Sequence, residues 1–181
     1  MNIPQVEPLY VTSLEEIAWG GALVAITMGM HGFGMLFTLR VSGVLRHRLG
    51  QNPSFTAGMF ILVLASWMIL IVHLLEVFSW AAFFLWKNAV NADNVNSSLC
   101  YYFALMDYTT LGSNYNLVPR WRLLEGMIAI AGLLTFAWST GVLLTLAQGF
   151  QDQQLQLLAG RRQRRHPMPP PPSQPTTGQP K

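Results

Sequence analysis

The stretch Ser97–Leu117, SSLCYYFALMDYTTLGSNYNL, decides the fold. Its apolar part is too short to cross a bilayer, which takes about 20 consecutive apolar residues. It lies between two segments that are long enough. Ser97 or Ser98 can cap a short helix running to about Thr109. Two hydroxyls, a small apolar residue and a glycine follow in Thr109-Thr110-Leu111-Gly112. That order suits a re-entrant loop, in which a helix enters the membrane and the chain turns back to the side it came from.

The composition belongs to a membrane chain. Of 181 residues, 51% are apolar and only 10% are charged, against about 25% charged in soluble domains. The net charge of +3 is clumped. Arg40, Arg46 and Arg48 form one basic group, and Arg161, Arg162, Arg164 and Arg165 form another. Basic clumps beside apolar spans read as topology signals or as contacts to anionic lipid, and no nucleic-acid partner is expected. The lone cysteine, Cys100, excludes an intrachain disulfide and reads as a small buried apolar residue. Residues 1–13 lack the basic start of a secretory signal, so the first apolar segment is expected to be retained.

The pattern predicts an all-α membrane protein with three transmembrane helices and one re-entrant helix and loop. Residues 1–13 form an extracytoplasmic segment. Ser13 and Glu16 have capping-box spacing at the head of helix one, 14–40. A basic connector, 41–54, ends in the turn signal Asn52-Pro53-Ser54. Helix two covers 55–87 and carries aromatic residues at its far end, as an interfacial belt does. An Asn-rich loop, 88–96, precedes the short helix and loop of 97–117. Helix three, 118–159, opens on Pro119, whose missing N–H costs nothing at a helix start, and extends beyond the membrane. Residues 160–181 are basic, then proline-rich, and are expected to be disordered.

Flanking charge sets the orientation. One side receives the seven arginines of the two basic groups, and the other receives Lys87, Arg120 and Arg122. Positive-inside then places the connector and the C-terminus in the cytoplasm and the N-terminus outside. Three spans beginning outside end inside, so the two basic groups agree only if 97–117 does not cross.

Irregular backbone at membrane depth must be covered by protein or line a water-filled cavity. A helix entering from outside points its negative end at the membrane centre, which favours a cation. Carbonyls along the returning strand, with a threonine hydroxyl at the inner end, can replace an ion's hydration shell. One chain supplies one wall, so a ring of subunits is needed.

On these residues, Ser97–Gln148 resembles the potassium-channel pore domain: outer helix, pore helix, TTxG filter, inner helix. It is most similar to small bacterial ion-channel proteins with an extra N-terminal helix. That resemblance implies a homotetrameric potassium channel in the bacterial inner membrane, with no cofactor and no enzymatic activity. It makes Thr109, Thr110, Leu111 and Gly112 filter residues. Ser113, Asn114 and Tyr115 depart from the family's Tyr/Phe-Gly-Asp, and Asn114 stands where a left-handed residue is expected.

Polar residues within the spans complete the candidate list. His31, and His73 with Glu76 one turn on, read as a hydrogen-bonded tie between helices one and two, as a proton sensor, or as a metal or haem site. Asp107 reads as a cation-attracting charge or a bond behind the filter, or as a protonated or arginine-paired carboxyl. Glu125 reads as an arginine partner. Thr135 and Ser139 share a stripe that would line an inner cavity, or bond their own i−4 carbonyls. Gly132 and Gly141 read as hinges or as close-packing sites. Two other function classes fit the same residues: a non-conducting regulatory or structural subunit, and an intramembrane His/Glu metal or redox protein.

Overall fold

A computed structural model describes residues 12–48 and 55–165. The order is α1 (Leu14–Arg48), α2 (Phe55–Trp86), α3 (Ser97–Tyr108), a 3₁₀ turn (Pro119–Trp121) and α4 (Leu123–Arg165). α1, α2 and the Pro119–Gln156 stretch are long and apolar enough to cross a membrane. The N-terminal segment through residue 11, residues 49–54 of the connector, and 166–181 of the tail lie outside the described residues.

Two helices exceed their expected lengths. α1 continues through Val41 to Arg48, because 41–48 holds no proline and ends in Arg46-His47-Arg48, which complement the negative helix terminus. α4 runs to Arg165, so 160–165, expected to be disordered, are helical. Gln, Leu, Ala and Arg, which dominate 153–165, are good helix formers.

The long helices are built inside out relative to a water-soluble bundle. Buried positions on α1 are Gly20, Leu23, Thr27, His31, Met35, Thr38 and Ser42, a stripe with helical spacing. On α2 the stripe is Gly58, Ile61, Ala65, Ile69, His73 and Glu76. Phe33, Phe37, Phe60, Trp67 and Phe78 point outward. Small and polar residues share the inside with Leu23, Met35, Ile61 and Ile69, while large apolar side chains also cover the outside, an arrangement hydrocarbon solvent tolerates and water does not.

One end of the bundle gathers the start of α1, the end of α2 and the start of α4. Lys87 Nζ lies 4.0 Å from the Trp86 ring centroid and 5.0 Å from that of Trp19. Glu15 pairs with Arg120, and Glu16 Oε1 accepts the Leu123 N–H at 2.6 Å. At the opposite end Phe150 packs on Phe55 and over Gly58. The excursion between α2 and α4 therefore starts and finishes at one end. Its two ends are latched there: Val118 N–H donates to Ala89 O at 2.8 Å, Asn91 N–H donates to Asn116 O at 2.9 Å, and Val90 bridges Leu117.

α3 wedges between α2 and α4. Phe103, Ala104 and Tyr108 pack on Trp80, Phe84, Leu124 and Ile128, all buried. Asn96, not Ser97 or Ser98, caps α3: its side-chain oxygen accepts the Leu99 N–H at 2.8 Å. Asn96→Ala is therefore expected to cost about 1 kcal/mol in thermal unfolding, while Ser97→Ala leaves the transition unmoved. At the head of α1, Ser13 Oγ accepts the Glu16 N–H at 3.1 Å.

Candidate functional site

α3 ends deep between the long helices, and its last residues define the site. Thr109 N–H donates to Leu105 O, and the N–H groups of Leu111 and Gly112 both donate to Met106 O. The bond reaching back five residues closes the helix in a Schellman-type cap. The residue that makes this turn is Thr110, at φ +62°, and Gly112 follows at +73°. A β-branched residue in the left-handed region is strained, and such strain clusters at functional sites.

Thr110, Leu111 and Gly112 are exposed, Leu111 to 74%. Thr109 turns its hydroxyl back to Leu105 O at 2.8 Å, so it caps its own helix. Asn114 is not left-handed: among the described residues the positive-φ positions are Asn88, Thr110 and Gly112. Ser113 Oγ donates to Tyr115 O at 2.8 Å and accepts the Tyr115 N–H at 3.2 Å. Ser113-Asn114-Tyr115 is thus a local turn braced by the serine hydroxyl.

Gly132 brings α3 and α4 together at this point. A Cβ there would lie 2.0 Å from the Tyr108 carbonyl oxygen. Of its two readings this is close packing, with α3 as the neighbour. A Cβ on Gly141 would meet nothing within 4 Å.

Directly below the turn, four elements converge on a polar cluster. Glu76 Oε1 pairs with His31 Nδ1 at 2.9 Å, and Tyr108 Oη donates to Glu76 Oε2 in a short bond. His73 Nδ1 lies 3.0 Å from Tyr108 Oη and 3.4 Å from Glu76 Oε2. Ser139 Oγ sits 3.0 Å from His73 Nε2 and 3.3 Å from His31 Nε2. Thr135 Oγ1 is 2.6 Å from Tyr108 Oη. All are buried, and Phe136 stacks on His73 with ring centroids 4.5 Å apart. A further bond, from Trp80 Nε1 to Thr27 Oγ1 at 2.9 Å, ties α2 to α1 nearby.

Thr135 and Ser139 do not line a cavity as expected. They are 0% and 4% exposed and face Tyr108 and the histidines. Thr135 also reaches Ala131 O and Gly132 O within its own helix. Asp107 stays outside the cluster: it is buried, and its Oδ2 has no hydrogen-bond partner among the described residues. Glu125 accepts the Leu117 N–H at 2.6 Å, and the arginine that pairs at this end is Arg120, with Glu15. The donor atoms of His31, His73 and Glu76 lie within 4.8 Å of one another, close enough to share a metal ion, and the same atoms are engaged in the hydrogen bonds above. Tyr108 was the residue sequence reading missed. Its one signal was an aromatic hydroxyl immediately before Thr109, within reach of polar spans.

No family model, curated protein or solved structure matches this chain.

Proposed function

We propose that the chain is one subunit of a tetrameric cation pore, with potassium as the permeant ion and Thr109–Gly112 as its narrowest part. The observation that carries this reading is the exposed turn Thr110–Gly112, left-handed at Thr110 and Gly112, at the end of α3 packed between the long helices; lone backbone of this kind inside hydrocarbon would need a protein cover. Further copies of the chain would cover it and make the enclosed path. The α3 dipole points its negative end toward the same turn and favours a cation there. The positive-inside rule places the latched end outside and the basic end of α4 in the cytoplasm.

Purified protein in liposomes tests the reading. Potassium-driven flux is expected, with less flux for sodium. Gly112→Asp is expected to abolish flux while crosslinking still yields tetramers. It adds a side chain at φ +73° and a charge on the proposed path. Unchanged flux in that variant would refute the filter assignment. Tetramers of the unaltered chain that carry no ion would point to a regulatory subunit.

A further inference from the structure

The buried cluster can be followed as a closed circuit. From Glu76 it passes to His31, Ser139, His73, Tyr108 and back to Glu76. There are five links, and each needs one proton lying between two heavy atoms. The five side chains in their uncharged forms carry five such protons: one each on the carboxyl, the two imidazoles, the serine and the phenol. In one direction round the circuit, Glu76 donates to His31, His31 Nε2–H to Ser139, Ser139 to His73, His73 Nδ1–H to Tyr108, and Tyr108 to Glu76. The reverse direction holds the same five. Passing the first proton across gives a Glu76 carboxylate and a His31 imidazolium, with the count and the zero net charge unchanged.

We infer that this ring is a binding site for one proton, which the chain takes up from neutral or alkaline solution when it folds and which locks α3 onto the three long helices. The unfolded chain at pH 8 has an ionised glutamate and two neutral histidines, since their ordinary pKa values are about 4.3 and 6.5. With Ser139 and Tyr108 it then holds four of the five protons. If the folded ring also held four, one link would be two lone pairs facing each other, and a net negative charge would be buried.

A sixth proton is disfavoured as well. It would make both imidazoles cationic with ring centroids 5.2 Å apart, in a site of net positive charge. The groups facing the ring offer no counter-charge. α1 contributes His31, α2 contributes His73 and Glu76, and α3 contributes Tyr108. α4 contributes Ser139, Thr135 and the rings of Phe136 and Trp138. Asp107, next along α3, interacts with Glu125. The inference concerns proton content alone and does not depend on whether the assembly conducts.

The pH dependence of folding follows with its sign. Above about pH 7 the unfolded chain binds one proton fewer than the folded ring, so stability falls as pH rises. Between about pH 4.5 and 6 the unfolded chain has both histidines charged and binds one more, so stability falls as pH drops. Each limb changes the folding constant about tenfold per pH unit, and the ring's contribution peaks near pH 6.5.

Glu76→Gln separates this from ordinary buried packing. The amide carries its proton permanently: its N–H donates to His31 and its oxygen accepts from Tyr108, so the ring closes without uptake. Chemical unfolding of the full chain in bicelles between pH 7.5 and 9 is expected to show a folding constant that falls about tenfold more per pH unit in the natural chain than in Glu76→Gln, in which the ring adds no alkaline slope. The acid limb is expected in both. Equal alkaline slopes would overturn the inference. Should Glu76→Gln not fold, NMR of the natural chain labelled at Glu and His decides at pH 8. Either an un-ionised glutamate carboxyl or one imidazolium is expected, and finding neither would overturn the inference.

Discussion

Gly132→Val is expected to unseat α3. The atom a new Cβ would meet, at 2.0 Å, is the carbonyl oxygen of Tyr108, and a backbone atom cannot swing aside as a side chain does. Either α4 or the end of α3 must move. Moving α3 also pulls Tyr108 from Glu76, His73 and Thr135. Overpacking of this kind costs about 1–3 kcal/mol, and a lost buried bond adds about 1–3 more. Thermal unfolding should show the loss, and in the proposed pore flux should vanish with it. Gly141→Val is the control. It lies on the same helix, its Cβ meets nothing within 4 Å, and the transition should stay nearly in place. If the two variants behave alike, the close approach of α3 to α4 is not what Gly132 provides.

Glu76→Ala should be strongly destabilising. Glu76 is fully buried and takes hydrogen bonds from α1 through His31 and from α3 through Tyr108. Truncation leaves both donors facing a void. Breaking a buried pair by removing one partner costs about 3–5 kcal/mol. His31→Ala should cost less, because Glu76 keeps its bond from Tyr108 and its 3.4 Å approach to His73. Unfolding midpoints of the two variants, measured side by side, check that order. A midpoint for Glu76→Ala equal to that of the natural chain would show that the pair holds nothing together.

The long helices were legible because each carries its own local signal. An unbroken apolar run needs no partner to be read as a span, and Asn52-Pro53-Ser54 and Pro119 mark where the second and third runs begin. The short helix α3 was legible from the length of its apolar run. Its cap was misplaced by one or two residues because Asn96, Ser97 and Ser98 are all competent caps, and local sequence cannot say which one lies extended. The cluster was only half legible. His73 and Glu76 lie one turn apart, so their shared side follows from helical geometry. Ser139 and His31 are separated by 108 positions, and their meeting depends on how α1 and α4 cross. The stripe of Thr135 and Ser139 was visible as a stripe, but periodicity does not say which way a stripe faces.

The latch of Ala89–Asn91 against Asn116–Val118 pins both ends of the excursion to one another before either long helix is involved. Between those ends α3 is held a second time, by its packing on α2 and α4, which leaves 113–115 as the part strung between two fixings. Ser113-Asn114-Tyr115 holds its own shape there, through a serine hydroxyl that closes a turn of its own.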